Sequence, residues 1–446
     1  MTPSPVVRWL ARIACWVFYR VDQTGATPPS GPLLFLANHA NALLDPAIIW
    51  TTAGRDVRFL AKSTLFSGPL RPFLAGAGAI PVYRKKDEGV DTSRNAEMFT
   101  AVDAALRGGD AVCIFPEGMS HSQGRLIELR TGAARIVLGA EAAGTRVALV
   151  AVGLNFDRKT RFRSRVTVVY GPAFYATDLV SHNADDQREA VRTLTDRIAN
   201  HIRQLLVEAD PAADARLVDR VDRLYSAARG RPRQAEERIA RRQAIANGIE
   251  RMRSSDPDRY AELLLRVRRY DARLRRFGLR DRHLDMNVSA GAAARFLARE
   301  ALIAIPLVPV ALSGLVLFFV PYWLTATAAR LATHESDVAA SAKVVAGSII
   351  YSLWTAGAVV AGWLLKGQGA AVIVAIALPL VALASLFAVE RESAVLDAVR
   401  AWIAIRRARF GAGVLRRRRS ELADVLDEAY EWVTSRASDP MASARS

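Results

Sequence analysis

The chain contains few of the residues from which disulfide scaffolds and metal centres are built. Its 446 residues include two cysteines, Cys15 and Cys113, and six histidines. Two cysteines are too few for a disulfide framework or for a cysteine-only zinc site. The histidines form no cluster at the spacing that metal ligands require. We therefore expect neither a secreted, disulfide-built domain nor a bound metal ion.

Acidic residues are scarce relative to basic ones. The chain has 44 Asp and Glu residues against 61 Lys and Arg residues, which gives a formal net charge of +17. A basic surplus favours nucleic acid, anionic lipid or a phosphorylated substrate as the partner. The basic runs lack the interleaved aromatic side chains on which nucleic-acid bases stack. The sequence therefore favours anionic membrane lipids and phosphorylated substrates, and we expect no nucleic acid.

Charged residues are missing altogether from three long stretches, 301–329, 344–365 and 367–389. About 20 apolar residues cross the hydrocarbon core of a membrane, so each stretch is long enough to span it. Three such stretches in succession predict an integral membrane protein. Arginines are frequent on both flanks of this region, which favours a cytoplasmic location for both flanks and an even number of crossings in the cytoplasmic (inner) membrane.

Proline distinguishes the first of these stretches from the other two. It contains Pro306, Pro309 and Pro321, which are more typical of a broken segment than of a straight span. We therefore expect 301–329 to be re-entrant, although it is long enough to span. A hairpin of two spans, 344–365 and 370–389, would follow it.

The N-terminus does not have the pattern of a signal peptide. Its apolar stretch, 6–21, is interrupted by Arg8 and Arg12, and no clear cleavage site follows. On a helical wheel these arginines lie opposite Trp9 and Trp16, an arrangement typical of a helix in the membrane interface. An ordinary packing helix fits the same window equally well.

The next part of the chain alternates between short strand-like and helical runs. The middle strand-like runs are apolar on both faces, which is typical of an α/β domain with a mostly parallel sheet and helices on both faces. The strand-like runs are 33–37, 111–115, 147–154 and 165–171, and two helical runs are 93–109 and 129–144.

Five segments follow from these patterns. They are an interfacial helix and its lead-in at 1–30, an α/β domain at 31–184, an Arg-rich helical extension at 185–298, a membrane region at 299–390 and a basic cytoplasmic helical tail at 391–446. The extension either presents a basic face to the membrane or is a solvated helical surface.

The most specific local signal is the run N-H-A-N-A-L-L-D-P, in which Asp45 follows His39 by six positions. Imidazole is the usual general base near neutral pH. A carboxylate within reach fixes the tautomer of the imidazole and stabilises the imidazolium that forms on proton uptake. A surface histidine near a helix cap is the alternative interpretation of this pair.

Two further runs carry candidate binding residues. The run G-A-I-P-V-Y-R contains Gly78, Ile80, Pro81 and Arg84, and its guanidinium is suited to phosphate, although a solvated basic loop would give the same pattern. In F-P-E-G, Glu117 and Gly118 follow a buried strand at the edge where α/β sheets bind ligands. An ordinary strand-ending turn would also explain this run.

In their order and spacing the three runs resemble the motifs of the glycerol-phosphate and lysophospholipid acyltransferase family. The sequence departs from the family pattern in having five residues between His39 and Asp45, Ser120 at the position of a family arginine, and Ala151 at that of a family proline. With these departures it is similar to the fungal-type glycerol-3-phosphate/dihydroxyacetone-phosphate acyltransferases, which share E-G-x-S-H and a following basic T-G run, here Arg130-Thr131-Gly132.

The resemblance implies an acyltransferase in phospholipid synthesis, with His39 as general base and Asp45 as its partner. The acyl donor would be acyl-CoA or acyl carrier protein, with no other cofactor. The acceptor would be glycerol 3-phosphate, dihydroxyacetone phosphate or 1-acyl-glycerol 3-phosphate. Arg84, in the block that includes Gly78, Ile80 and Pro81, would hold the acceptor phosphate. The acceptor pocket would also include Glu117, Gly118, Ser120, His121 and Arg130, with Lys62 and Arg125 as further candidate cations. A non-catalytic lipid-binding or membrane-remodelling protein that keeps the fold is the alternative.

Overall fold

A computed structural model of the chain describes residues 4–67, 70–83, 92–180, 184–209, 212–285, 290–332, 338–407 and 409–437. The chain divides into two compact units. The first comprises Met1–Ala212, Arg233–Gln243 and Thr333–Val344, and the second comprises Ala213–Pro232, Ala244–Ala332 and Val345–Ser446.

The first unit is built on a seven-stranded sheet with the order β1-β7-β6-β2-β5-β3-β4. Neighbouring strands are parallel except β6 and β7. This confirms the expected α/β fold with a mostly parallel sheet. The strands are β1 Tyr19–Gly25, β2 Leu33–Ala37, β3 Val57–Lys62, β4 Ile80–Val82, β5 Ala111–Ile114, β6 Ala148–Phe156 and β7 Ser164–Phe174.

Thirteen helices accompany these strands in the described part of the chain. They are α1 Pro5–Phe18, α2 Leu44–Thr52, α3 Arg71–Gly76, α4 Asn95–Arg107, α5 Gly132–Ala142, α6 Ala184–Arg203, α7 Ala212–Arg229, α8 Ala235–Ser255, α9 Pro257–Arg276, α10 Ala290–Ala332, α11 Ala339–Lys366, α12 Gln368–Arg407 and α13 Arg409–Ala437. Short 3-10 turns occur at Ser63–Ser67, Thr92–Arg94, Thr177–Leu179 and Asp281–His283.

Strand β2 shows why the sheet is covered on both faces. Side chains alternate across a strand, so Leu33 and Phe35 enter one apolar core and Leu34 and Leu36 enter another. The first core includes residues of α1 and α2, and the second includes residues of α4, α5 and α6. The carboxyl ends of β2 and β5, which lead to His39 and Glu117, lie at one edge of this sheet.

The N-terminal segment groups with the first unit, and the interfacial helix and lead-in expected at 1–30 stay a prediction. Strand β1 pairs in parallel with β7, beginning with Tyr19 opposite Ser164. Helix α1 buries Ala11, Cys15 and Phe18, which lie on one helical face. Its other face exposes five large apolar side chains, Val6, Trp9, Leu10, Ile13 and Trp16. The helix therefore packs against the sheet and also presents an apolar surface.

The stretch 301–329 lies within α10, which is continuous through positions 306, 309 and 321. Backbone groups in an apolar environment must be satisfied within the segment, and a helix with a few missing bonds does this better than an open loop. Among the described residues, three helices are long and apolar enough to cross a membrane, at Val308–Ala332, Ala339–Lys366 and Gln368–Ala388. Whether 301–329 is re-entrant or spans the membrane stays a prediction. The even number of crossings stays a prediction.

Arginines of the second unit are used in internal ion pairs. Arg220 contacts Asp281 at 2.6 Å, and the Tyr270 hydroxyl donates to the same carboxylate at 2.8 Å. Arg419, which is buried, binds Asp285 through both of its terminal nitrogens. These pairs join α7, α9 and α13, so part of the basic extension and tail stabilises the unit itself and is not a solvated face.

Candidate active site

The centre of the candidate site is a direct hydrogen bond between His39 and Asp45. His39 follows β2, and Asp45 lies in the first turn of α2. His39 Nδ1 and Asp45 Oδ2 are 2.9 Å apart, with the carboxylate fully buried and the imidazole 17% exposed. A carboxylate oxygen only accepts, so Nδ1 carries the hydrogen and Nε2 presents a lone pair. The arrangement has the geometry of a general base held by its orienting carboxylate.

Backbone geometry accommodates the five residues between the two side chains. Ala42 has a φ of +23°, a conformation that residues with a side chain rarely adopt. The turn lets Asn41 N donate to Asp45 Oδ2 at 2.7 Å, so this oxygen accepts from two donors. The imidazole also stacks on Phe115, with ring centroids 4.1 Å apart. The longer spacing therefore does not separate the pair.

Glu117 braces the loop that carries His39. Its carboxylate is fully buried, and Oε1 accepts from His39 N at 2.6 Å. The other oxygen accepts from Ile127 N at 3.2 Å and from His121 Nε2. Because His121 Nδ1 accepts from Gln123 N at 3.2 Å, the hydrogen of this imidazole lies on Nε2 and points at Glu117. Glu117 thus holds three donors from three parts of the chain.

Gly118, Ser120 and Arg130 lie next to this brace. Gly118 has a φ of +72°, and a Cβ there would lie 3.3 Å from Arg130 Cγ. Arg130 N donates to Pro116 O at 2.7 Å, which holds the stem of Arg130 beside the glycine. Ser120 lies in the turn between Glu117 and His121. The structure therefore brings these predicted pocket residues to the carboxyl end of β5, next to the dyad.

The G-A-I-P-V-Y-R run lies two strands further along the same edge of the sheet. Gly78 has a φ of +65° in the turn before β4, and Ile80 and Pro81 pair with Leu60 and Ala61 of β3. Asn95 holds the backbone of Tyr83 through two hydrogen bonds, of 2.7 and 3.0 Å. Arg84 lies outside the described residues, and its role stays a prediction. Gly78, Ile80 and Pro81 build the strand and turn that lead to it.

Sequence reasoning missed two residues that contact the loop between His39 and Asp45 from distant parts of the chain. Lys159, in the loop between β6 and β7, donates to Ala40 O at 3.0 Å and to His121 O at 3.1 Å. Tyr19 accepts from Asn41 Nδ2 at 2.7 Å and donates to Lys159 O. No motif marks either residue, because their role depends on which strands are neighbours.

Burial keeps the Tyr19 hydroxyl in its neutral form. Desolvation raises the pKa of this phenol, and the nearby carboxylate of Asp45 raises it further. The hydroxyl therefore keeps its hydrogen and donates to Lys159 O while it accepts from Asn41. Among the residues that the structure describes, no group of three or more His, Cys, Asp or Glu side chains is placed to hold a metal ion.

Comparisons with known proteins agree with this geometry. A family model described as "Acyltransferase" matches residues 5–154. The chain is 29% identical over 181 residues to glycerol-3-phosphate O-acyltransferase 1 of Saccharomyces cerevisiae, which covers 40% of this chain and 24% of the relative. It is 31% identical over 191 residues to glycerol-3-phosphate O-acyltransferase 2 of the same yeast, covering 42% of this chain and 25% of the relative.

Two further similarities are more distant. An uncharacterized acyltransferase of Schizosaccharomyces pombe is 27% identical over 135 residues, covering 29% of this chain and 20% of the relative. The crystal structure of a 1-acyl-sn-glycerophosphate acyltransferase from Thermotoga maritima is 16% identical, with a TM-score of 0.31, covering 44% of this chain and 78% of that one. The match spans about a quarter of the length of the two yeast acyltransferases.

Residues 5–154 match the acyltransferase family model, and the same part of the chain contains most strands of the α/β sheet and the histidine–aspartate pair at its carboxyl edge. Over about two fifths of its length the chain is similar to glycerol-3-phosphate O-acyltransferases.

Proposed function

We propose that this chain is a membrane-bound O-acyltransferase that moves a fatty acyl group from acyl-CoA or acyl carrier protein to a glycerol-phosphate acceptor, with His39 as the general base. The observation that carries the proposal is the 2.9 Å contact between His39 Nδ1 and buried Asp45, which leaves Nε2 as a proton acceptor. The names of the yeast relatives favour glycerol 3-phosphate over 1-acyl-glycerol 3-phosphate as the acceptor.

The proposed transfer needs no covalent acyl-enzyme. His39 Nε2 takes the proton of the acceptor hydroxyl as its oxygen attacks the thioester carbonyl, and the C–O bond forms as the carbonyl π bond opens. The imidazolium that results is stabilised by the Asp45 carboxylate, which stays ionised throughout. The tetrahedral intermediate then collapses, the C–S bond breaks, and His39 returns the proton to the leaving thiolate. The products are the acyl ester and the free thiol.

We expect the acceptor phosphate to bind on the side of His39 where β5, β3 and β4 follow β2 in the sheet. Parallel strands bring their carboxyl ends to the same edge, and the order β2-β5-β3-β4 places Lys62 at the end of β3 and the chain leading to Arg84 at the end of β4. Arg130 lies beside Gly118 at the end of β5. Cations on this side of the base would hold the phosphate while the hydroxyl faces His39 Nε2.

A membrane location suits a reaction whose product is a lipid. Three candidate spans support membrane attachment, and the exposed apolar face of α1 supports contact with the lipid surface. The positive flanks favour the cytoplasmic membrane with the sheet on the cytoplasmic side. The five-residue spacing between His39 and Asp45 would favour the alternative of a non-catalytic lipid-binding protein if it separated the pair, but the two side chains remain in contact.

The test offers membranes that contain the full chain a labelled acyl-CoA and, separately, glycerol 3-phosphate, dihydroxyacetone phosphate and 1-acyl-glycerol 3-phosphate. We expect one acceptor to give product, and His39→Ala to reduce that product by about 10²–10⁴-fold, since this is the usual contribution of a general base. His201→Ala is the matched control, because His201 stacks on Phe174 away from the dyad. Undiminished transfer by His39→Ala would refute the mechanism, and no product from any acceptor with the wild-type chain would refute the activity.

A further inference from the structure

We propose that Lys159 is a positioning residue for acyl transfer, because its ammonium group holds the loop that carries His39 against the loop that follows Glu117. The proposal rests on the proposed function for its kinetic consequences. The contacts that support it do not depend on that function.

The ammonium group of Lys159 contacts acceptors on two loops. It donates to Ala40 O at 3.0 Å, to His121 O at 3.1 Å and to Ser122 Oγ at 2.7 Å. A lysine ammonium carries three donors on a tetrahedral head, which allows it to bind acceptors on both loops at once. Ala40 directly follows the candidate base, and His121 is the partner of Glu117. One side chain therefore contacts both halves of the site.

The hydrogen bonds of the Lys159 ammonium group, here called the Lys159 clamp, lie where the backbone pairing of β2 with β5 has ended. Strands β2 and β5 pair in parallel from Leu33 opposite Ala111 to Leu36 opposite Ile114. Beyond the strand ends the two chains separate into loops, where His121 N still donates to His39 O at 3.1 Å. The ammonium group supplies further links past this point, where the ladder of the sheet has ended.

The backbone of Lys159 is itself anchored to the same loop. Lys159 O accepts from the Tyr19 hydroxyl, which in turn accepts from Asn41 Nδ2 at 2.7 Å. Nearby, Arg163 N donates to Phe18 O at 2.6 Å, which ties the β6–β7 loop to the end of α1. The lysine thus reaches the His39 loop both through its side chain and through its carbonyl, from a segment with fixed ends.

The expected consequence of removing the ammonium group is a misplaced base in a folded protein. Displacement of a catalytic group by about 1 Å costs on the order of 10²-fold in rate. We therefore expect kcat to fall by about 10- to 100-fold while KM for acyl-CoA stays within about twofold, since the thioester contacts are not removed.

Because both native cysteines are buried, an introduced cysteine can be alkylated selectively, so that the ammonium group is removed by mutation and then restored chemically. Lys159→Cys removes it, and alkylation of the new thiolate with 2-bromoethylamine, with loss of bromide, restores an ammonium group at nearly the same distance. Alkylation with 2-bromoethanol gives a neutral side chain of matched length. Cys15 and Cys113 are buried, and burial raises the pKa of Cys15 to about 12 and that of Cys113 well above its ordinary value, so neither competes for the reagent.

Acyl transfer by the full chain in membranes is measured before and after each alkylation. We expect Lys159→Cys to be slow, the aminoethylated protein to recover most of its kcat, and the hydroxyethylated protein to remain slow. Arg161→Cys, an exposed position of the same loop, is the control and is expected to keep wild-type kcat in all three forms. Wild-type kcat for unmodified Lys159→Cys, or equal recovery with both reagents, overturns the proposal.

Hydrogen exchange provides a readout that is independent of turnover. In Lys159→Cys we expect faster amide exchange in 38–45 and 118–127 and unchanged exchange in β6, and aminoethylation should reverse the change. Lys159→Arg serves if the cysteine variant does not fold, because it keeps the charge but replaces a tetrahedral head with a planar fork. We expect its kcat to fall by about 3- to 10-fold at unchanged KM. A wild-type chain that acylates no acceptor refutes the proposed function alone, and unchanged exchange refutes the clamp.

Discussion

Replacement of Glu117 by glutamine replaces one of the two carboxylate oxygens with which Glu117 holds the loops around His39 and His121. The native carboxylate accepts from His39 N at 2.6 Å, from Ile127 N at 3.2 Å and from His121 Nε2. A glutamine has one accepting oxygen and one NH₂ group that donates. If the oxygen faces His39 N, the NH₂ group faces Ile127 N, so that two donors oppose each other in a buried site.

The cost of this change follows from the hydrogen bonds that are lost. A buried donor without an acceptor costs about 1–3 kcal/mol, and exchanging a charge-assisted bond for a neutral one costs about 1 kcal/mol more. A change of tautomer at His121 would not remove this cost. If Nε2 became the acceptor, the hydrogen would lie on Nδ1 and would oppose the N–H of Gln123. Two orphaned donors and one weakened bond give a destabilisation of about 3–7 kcal/mol.

Thermal unfolding of the detergent-solubilised chain measures this cost. For a unit of this size a loss of about 1 kcal/mol lowers the midpoint by about 2–4 °C, so Glu117→Gln should lower it by on the order of 10 °C. Glu128→Gln, an exposed position of the segment that Glu117 holds, is the control and should stay within about 2 °C, because exposed substitutions cost less than about 0.5 kcal/mol. Equal midpoints for the two variants would show that the three-donor brace does not stabilise the unit.

Two further predictions concern the dyad and the packing of the sheet. Asp45→Asn should lower kcat by roughly 10²–10⁴-fold with little change in KM for acyl-CoA, because the amide cannot stabilise the imidazolium; steady-state transfer assays test this, and a loss below threefold would contradict it. Gly153→Ala should destabilise the chain by roughly 1–3 kcal/mol, since its Cβ would lie 2.6 Å from Leu205 O. Gly139→Ala in α5 should stabilise it by about 1 kcal/mol, because no other atoms lie within 4 Å. Unfolding midpoints that move in the same direction for both glycine variants would refute this packing argument.

The strands that the sequence predicted are those with strong local patterns. The apolar runs at 33–37, 111–115, 147–154 and 165–171 correspond to β2, β5, β6 and β7. Strand β1 was not predicted, because its burial alternates irregularly among polar residues and its first residues continue the apolar helix before it. Strand β4 has only three residues, too few for a period to be read.

The candidate site was predictable where its residues lie close together in sequence. His39 and Asp45 are six positions apart in a run that, together with two others, resembles the motifs of a known family, and their side chains lie 2.9 Å apart. Tyr19 begins β1 and Lys159 lies in the loop between β6 and β7, and both contact the loop that carries His39 although no local pattern specifies where these strands lie in the sheet. Their positions depend on the parallel pairing of β1 with β7, which is a property of the folded sheet.

The contacts of the loop between His39 and Asp45 limit how the protein can be divided into fragments. Leu43 N, two residues before Asp45, donates to Ser341 Oγ at 3.1 Å, and Ala340 is buried in the same core as Tyr19. The unit that surrounds the dyad therefore includes a segment, Thr333–Val344, that follows the catalytic motifs by about 200 residues in the sequence. A soluble fragment cut at residue 184 would keep every recognisable motif and still lack a hydrogen-bond partner of the loop between His39 and Asp45. To make a more soluble version, the exposed apolar side chains of the membrane region should be replaced and the region kept, because its deletion would also remove Thr333–Val344 from the first unit.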